Sequence, residues 1–184
     1  MVLKFAYGEQ QQNLFNMSYQ ALPYTYGART SAEIDAIPTS PKIPEGSTVF
    51  NTDTQMMETF NGRLWMDERS ICFKVDGGVT VVKGNLLKTS STGEVQLATN
   101  GANEQFCGVA LRDPVGGFVA VAHAGKVQAI AGGTIVRGAF VVIDGTAGRF
   151  DDTTIGSSGA LGATLESGST GDLLWITLQT IELA

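Results

Sequence analysis

The feature that most constrains this chain is an internal repeat with a period of 54 residues. Residues 78–84 (GVTVVKG) recur as residues 132–138 (GGTIVRG). Other glycines recur at the same offset, with a one-residue slip in the last pair: Gly108 and Gly162, Gly117 and Gly171, Gly93 and Gly148. Since one copy is too small to bury its own apolar face, the repeat predicts two similar units that pack into one closed body, related by a pseudo-twofold.

Each copy has the pattern of short β-strands separated by glycines. The segments between the glycines are rich in β-branched residues, which is typical of strands in an all-β sandwich or barrel. Gly84 and Gly138 interrupt a strand pattern, as a bulge or a barrel corner does. Phe140 and Trp175 are expected to fill the core. The sequence therefore predicts a small all-β barrel or sandwich over residues 70–184, built from repeats at about 78–125 and 132–178.

The first 45 residues have a different composition. They hold four of the five prolines and all four tyrosines, without a sustained period of 2 or 3.6. Thr30 and Glu33 have capping-box spacing, which predicts one helical turn that Pro38 would end. The prediction is an extended N-terminal arm over 1–45. Because disordered tails are poor in aromatic residues, we expect the arm to bury its aromatic side chains on its own domain or on a partner. The candidate capsid- or partner-binding residues are Phe5, Tyr7, Phe15, Tyr19, Tyr24 and Tyr26.

A small β-meander is predicted between the arm and the repeats, over residues 46–69. Two short segments rich in strand formers are followed by Asn61-Gly62, a strong hairpin signal because both residues tolerate positive φ. Residues 63–66 (RLWM) then form the returning strand. The pattern resembles a hairpin found in many tailed-phage fibre and head-appendage proteins.

Composition and charge exclude several classes of protein. The net charge is −6 with few, scattered basic residues, so neither nucleic acid nor a membrane surface is an expected partner. No apolar run approaches the length of about 20 residues that spans a bilayer. Cys72 and Cys107 are the two cysteines, and they are expected to be reduced core residues rather than a disulfide or zinc framework. His123 is the one histidine and has no catalytic motif around it. We therefore expect no catalytic residues, no cofactor and no metal.

The order of the repeated motifs resembles the head decoration, or cement, proteins of tailed phages. The first copy carries the match at 82–87 (VKGNLL), 106–111 (FCGVAL) and 117–121 (GFVAV), and the second at 136–142 (VRGAFVV), 159–165 (GALGATL) and 171–175 (GDLLW). The resemblance covers residues 70–184. It implies a β-rich, non-enzymatic module that binds the outside of the expanded capsid and stabilises it. The implied partners are the major capsid protein and neighbouring copies of the chain itself, in a trimer or other homo-oligomer. The implied location is the outer capsid surface of the virion, after synthesis in the host cytoplasm.

Other functions stay open because the arm and the meander extend beyond the decoration-protein pattern. One alternative is a head-fibre, tail or collar protein that carries another protein through the hairpin at 47–66. Another is a carbohydrate-binding module on the virion surface, with Trp65 or an exposed tyrosine as its stacking platform. A hydrolase is the least supported class. A Ser-His-Asp or Cys-His arrangement would have to use His123, and no motif points to the paired carboxylates of a glycoside hydrolase, although spacing alone does not exclude them.

Overall fold

The computed structural model describes residues 24–37, 43–99, 106–153 and 160–179. In these residues the fold is all-β, as the sequence predicts, with three sheets and one five-residue helix. No helix in the described segments is long and apolar enough to cross a membrane.

The first sheet, called here the N-terminal sheet, has four strands in the order β1-β2-β3-β4. β1 is parallel to β2, and the other two pairings are antiparallel. The strands are β1 (Thr25–Arg29), β2 (Thr48–Asn51), β3 (Met56–Phe60) and β4 (Trp65–Asp67). The sheet has its own small core, which consists of Ile34, Ile43, Val49, Phe60 and Trp65.

Residues 24–37 are folded onto this sheet rather than extended as an arm, since β1 is one of its strands and the residues after β1 pack on its core. Helix α1 (Ser31–Asp35) follows β1 and begins with the predicted capping box. The Thr30 N–H donates to Glu33 Oε2 at 2.8 Å, and the Glu33 N–H donates to Thr30 Oγ1 at 3.3 Å. Ile34 then anchors the helix in the core. The prolines at 38 and 41 lie outside the described residues.

The β3–β4 connection confirms the predicted hairpin but has four loop residues, not two. Phe60 and Trp65 form the last strand pair. The Asn61 side chain explains the longer loop, because its Oδ1 accepts hydrogen bonds from the N–H groups of Arg63 (3.0 Å) and Leu64 (2.9 Å). Gly62 adopts the positive φ of this loop, at +88°.

The two repeats form two five-stranded sheets of identical topology. The first repeat sheet contains β5 (Ser70–Lys74), β6 (Leu86–Thr89), β7 (Val95–Leu97), β8 (Phe106–Ala110) and β9 (Phe118–Ala122). The second repeat sheet contains β10 (Gly125–Ile130), β11 (Phe140–Ile143), β12 (Phe150–Thr153), β13 (Gly162–Thr164) and β14 (Leu173–Leu178). Their orders, β5-β9-β8-β6-β7 and β10-β14-β13-β11-β12, are the same when each repeat is counted from its first strand.

The two repeats also share a backbone conformation and its hydrogen bond at one pair of glycines. Gly84 and Gly138 precede the second strand of their repeats, and both have φ +84°. The Gly84 N–H donates to the Ala110 carbonyl at 2.8 Å, and the Gly138 N–H donates to the Thr164 carbonyl at 3.0 Å. Each glycine therefore makes the same tight turn at the same place, where a residue with a Cβ would be strained.

The two repeats pack head to tail rather than about the expected pseudo-twofold. We call the face of each repeat sheet that carries Leu87, or its counterpart Val141, the front face, and the opposite face the back face. The back face of the first sheet and the front face of the second share one buried cluster, which includes Leu86, Val109, Ala122, Val127, Val141, Phe150, Leu174 and Ile176. The front face of the first sheet belongs to a separate cluster. A twofold would join equivalent faces, whereas here unlike faces meet.

Phe140 and Trp175 do not fill this core, contrary to the expectation from sequence. Leu174 and Ile176 point into it, so the alternation of β14 places Trp175 on the back face. Phe140 precedes the inward-facing Val141 in the same way. A one-residue error in register moves a side chain to the opposite face of a strand.

Candidate interaction surface

Four aromatic rings contact one another in series across the N-terminal sheet, with two pairs edge-on and one pair tilted. Tyr24 and Tyr26 have ring centroids 6.2 Å apart, Tyr26 and Trp65 are 5.6 Å apart, and Trp65 and Phe60 are 5.4 Å apart. Edge-on and tilted geometries are the ones that aromatic quadrupoles favour. Trp65 and Phe60 are buried, so this aromatic ladder leads from the core of the sheet to its surface at Tyr24.

Tyr24 combines an exposed ring with a fixed backbone. The residue is 56% exposed. Its N–H donates to Ser47 Oγ at 3.0 Å, and its carbonyl accepts from the Thr48 N–H at 2.8 Å. β1, which follows Tyr24, is an edge strand of the sheet. The ring is therefore held at a defined point on the surface, which suits an anchor for another protein.

The structure separates the six predicted contact residues into two groups. Phe5, Tyr7, Phe15 and Tyr19 lie outside the described residues. Tyr24 and Tyr26 are described and lie in contact, but they differ in environment. Tyr24 faces solvent, and Tyr26 is half-buried against the core of the N-terminal sheet. Of the two described residues, Tyr26 thus packs on its own domain and Tyr24 is available to a partner.

An apolar cleft beside the ladder was not predicted from sequence. It lies between the β3–β4 loop and the β8–β9 loop, and Ile43, Phe60, Val115 and Phe118 contribute apolar lining. The guanidinium of Arg63 lies 4.1 Å from the centroid of the Phe118 ring. Val115 is among the exposed large apolar residues. The residues come from distant parts of the chain, and no local pattern joins them, so sequence reasoning had no signal for this cleft.

A buried charge cluster attaches the N-terminal sheet to the first repeat. Arg112, in the β8–β9 loop, donates from Nη2 to Glu58 Oε2 at 2.6 Å, and its Nη1 lies 3.3 Å from Asp35 Oδ1. Asn51 Nδ2 donates to the other Glu58 oxygen at 2.6 Å. Arg112 is 8% exposed and Glu58 is 2% exposed. This cluster fixes how the cleft and the ladder are presented.

Three titratable groups have pKa values displaced by their surroundings. A hydrogen bond from the backbone N–H of Thr30 lowers the pKa of the exposed Glu33 carboxyl. A hydrogen bond to Glu94 raises the pKa of the exposed Lys74 ammonium. Burial raises the pKa of the Cys107 thiol to about 12, which makes it a poor nucleophile. Cys72 and Cys107 are both free thiols.

Two alternatives, a hydrolase and a carbohydrate-binding module, need a reactive or a sugar-binding site, and the described residues show few features of either. In segments 24–37, 43–99, 106–153 and 160–179, no three of His, Cys, Asp and Glu lie close enough to hold a metal ion. The imidazole Nδ1 of the half-buried His123 has no hydrogen-bond partner. The backbone N–H of His123 donates to the Arg69 carbonyl at 3.0 Å. Trp65 is 4% exposed, so it cannot serve as the sugar-stacking platform considered above. Tyr24 keeps the exposed ring which that function needs.

Comparisons with known proteins found structural likeness but no related sequence family. No protein-family model matches the chain, and no curated protein does. Among solved structures, the chain is similar to the head fiber gp8.5 N base of bacteriophage phi29. The likeness has a TM-score of 0.48 and 22% sequence identity, and it covers 61% of this chain and 98% of that chain.

Proposed function

We propose that this chain is a structural protein of a tailed-phage virion, which binds the outer surface of the major capsid protein shell and stabilises it. The role is non-enzymatic and needs no cofactor. The observation that carries the proposal is the exposed Tyr24 ring on a backbone fixed at the edge of the N-terminal sheet. The other predicted contact residues precede it in the sequence, at Phe5, Tyr7, Phe15 and Tyr19.

The physical requirements of capsid binding agree with this arrangement. A shell presents many equivalent sites, so modest contacts gain from repetition. Aromatic anchors supply much of the binding energy of protein interfaces. The net charge of −6 disfavours binding to DNA, which is a useful property for a protein on the outside of a DNA-filled shell. The repeats, held by the Arg112 cluster, give the N-terminal sheet a rigid support.

The test is co-sedimentation of the purified full-length protein with undecorated, expanded heads of its source phage. We expect saturable binding at a fixed ratio to the major capsid protein, and that ratio identifies the symmetry position occupied. Decorated heads should release their DNA at a higher temperature than undecorated heads. A folded protein that does not bind heads would overturn the proposal.

Matched variants show whether Tyr24 is part of the contact. Tyr24→Ser should weaken binding at least about tenfold, as expected for loss of an interface aromatic. Met57→Ser is the control, because Met57 is also exposed, at 49%, and lies on β3 of the same sheet. If both variants bind heads like the wild type, Tyr24 is not the anchor. A variant with Phe5, Tyr7, Phe15 and Tyr19 replaced by Ser then tests the remaining predicted contacts.

A head-fibre, tail or collar attachment protein is the second candidate, and the cleft at the β3–β4 loop favours it. The cleft lies where the hairpin meets the first repeat, with Arg63 and Val115 available to a carried protein. Arg63→Ala should then release the carried protein from virions without detaching this chain.

A carbohydrate-binding module would instead give hits in a glycan-array screen that Tyr24→Ser removes. His123→Ala should leave every one of these functions intact, whereas a hydrolase with a Ser-His-Asp or Cys-His arrangement would lose its activity.

A further inference from the structure

A second cavity adjoins the cleft, between helix α1, the β3–β4 loop and the β8–β9 loop. Phe60, Arg63 and Val115 line both the cavity and the cleft. The cavity has a volume of about 240 Å³. Sites that bury a drug-sized ligand measure about 300–1,000 Å³, so this one suits a smaller group, such as one apolar side chain with its peptide group. The rest of its apolar lining consists of Ile34, Ile37, Leu64, Trp65 and Pro114.

Two residues that line the cavity have buried N–H groups without an acceptor among the described residues. Trp65 is 4% exposed, and its indole Nε1 has no hydrogen-bond partner. Arg112 donates from Nη2 to Glu58 and has Nη1 beside Asp35, but its Nε has no partner. Buried donors without an acceptor are rare, because they lose their hydration and gain no bond in return. A molecule that enters the cavity with an acceptor would therefore restore what these donors lack.

The charges around the cavity balance one another. Its lining carries three cations and two carboxylates, which are Arg63, Lys83, Arg112, Asp35 and Asp113. A third carboxylate, that of Glu58, is bonded to Arg112. An entering anion would meet no excess of positive charge to offset the loss of its hydration, whereas an uncharged carbonyl loses far less. The cavity thus favours a peptide carbonyl over a carboxylate or a phosphate.

From these observations we propose that the cavity binds one apolar residue of an extended, uncharged segment of another virion protein, whose backbone carbonyls accept hydrogen bonds from Trp65 Nε1 and Arg112 Nε. The apolar side chain packs on the lining, and the cleft takes the neighbouring residues of the segment. Backbone hydrogen bonds provide affinity and side-chain pockets provide specificity in such complexes. The inference rests on the proposed function in that the partner belongs to the virion. It adds a contact separate from Tyr24, which lines neither the cavity nor the cleft.

The test follows the Trp65 indole N–H by NMR in the full-length chain, with an NMR-active nitrogen isotope at tryptophan. The chain has two tryptophans, so Trp175→Phe identifies the Trp65 signal. N-acetyl-L-leucinamide is the probe, because it is uncharged and combines an apolar side chain with two carbonyls. We expect a saturable downfield shift of the Trp65 signal, as for a donor that gains an acceptor, and no comparable shift at Trp175. No capsids are present, so the result is independent of binding to heads.

Three further probes separate the parts of the proposal. N-acetylglycinamide keeps the carbonyls without the side chain, and isoamylammonium keeps the branched chain without an acceptor. Each should bind at least about tenfold more weakly than N-acetyl-L-leucinamide, since each lacks one half of the contact. Isovalerate replaces the amide with a carboxylate and should also bind more weakly.

A pair of valine variants tests where the probe binds. Val115 is 45% exposed and lines both the cavity and the cleft, so Val115→Asn should weaken probe binding at least about threefold by removing apolar contact. Val136→Asn is the matched control, because Val136 is 61% exposed and lies in the second repeat, outside the cavity. Its affinity for the probe should equal that of the wild type.

The inference is wrong if N-acetyl-L-leucinamide gives no saturable shift at Trp65 up to its solubility limit, since water or the chain itself would then supply the acceptors. Tighter binding of isovalerate or isoamylammonium also overturns it, because the site would then be one for ions. So does a probe affinity that Val115→Asn leaves unchanged. Co-sedimentation with heads, described above, decides the proposed function separately.

Discussion

The carboxylate of Glu58 on β3 and the guanidinium of Arg112 in the β8–β9 loop form a buried ion pair, at 2.6 Å, that joins the N-terminal sheet to the first repeat. Glu58 Oε1 is bonded to Asn51, and Arg112 Nη1 lies beside Asp35. Both charges therefore have partners, as burial requires. The pair orients the surface that carries Tyr24 and the cleft.

Removing one member of this pair should destabilise the protein strongly. Arg112→Met leaves the Glu58 carboxylate buried without its cation, a change that costs about 3–5 kcal/mol. The double variant Glu58→Gln with Arg112→Met should lose less than the sum of the two single variants, since no uncompensated charge remains. Urea unfolding of the four proteins measures this coupling. Lys74→Met, which breaks the exposed Lys74–Glu94 pair, is the control and should change stability little. If the losses in free energy of unfolding of the two single variants add up to the loss of the double variant, Glu58 and Arg112 do not stabilise each other.

The two described tyrosines of the predicted contact set should respond differently to truncation. Tyr26→Ala removes the ring between Tyr24 and Trp65 and should lower the free energy of unfolding by about 1–3 kcal/mol. Tyr24→Ala removes a mostly exposed ring, so stability should stay within about 0.5 kcal/mol of the wild type. Chemical denaturation checks both values. Equal losses would mean that Tyr24 is a packing residue and not a surface anchor.

Much of this architecture could be predicted from local signals. The glycine spacing predicted the duplicated β unit, and Gly84 and Gly138 indeed share one backbone conformation. The Thr30–Glu33 spacing predicted the helix start, and Asn61-Gly62 predicted the hairpin. These features depend on a few neighbouring residues, whose conformational preferences are strong enough to be seen in sequence.

The features that sequence missed depend on long-range packing. The parallel pairing of β1 with β2 could not be read from residues 24–29, because their role is set by the distant strand at 48–51. The same holds for the Arg112 cluster, whose members are spread from Asp35 to Arg112. The head-to-tail packing of the two repeats also could not be predicted from the sequence. The two repeats have similar sequences and therefore form similar sheets. Only small differences between them, such as Ala122 in the first repeat and Thr177 at the corresponding position of the second, indicate which faces are in contact.

Alanine at the two corresponding glycines should separate backbone strain from packing between the repeats. Gly84 and Gly138 both have φ +84°, so each substitution carries the same left-handed strain of about 1–2 kcal/mol. Gly84→Ala adds a Cβ that overlaps Leu173 in the second repeat, whereas Gly138→Ala points into open space. Gly84→Ala should therefore cost a further 1–3 kcal/mol or so. Thermal or urea unfolding of the two variants gives the difference, and equal losses would show that Leu173 moves aside without a cost in stability.

The Cys107 thiol should make stability depend on pH in the alkaline range. Burial raises its pKa from 9.0 to about 12 in the folded protein. Between these values the unfolded chain loses the thiol proton while the folded chain keeps it, so deprotonation favours unfolding. The contribution is fully present below pH 9.0 and is lost as pH rises toward about 12. Its slope is at most about 1.4 kcal/mol per pH unit. Urea unfolding from pH 8 to pH 11 should show a steeper decline for the wild type than for Cys107→Ala. Cys72→Ala is the matched control, because it leaves the buried thiol in place and should follow the wild type.

The same burial predicts that iodoacetamide at pH 8 does not modify Cys107 in the native protein, since the thiolate is the reactive form. Parallel pH profiles for the wild type and Cys107→Ala, or rapid native-state alkylation of Cys107, would show that this thiol is open to solvent.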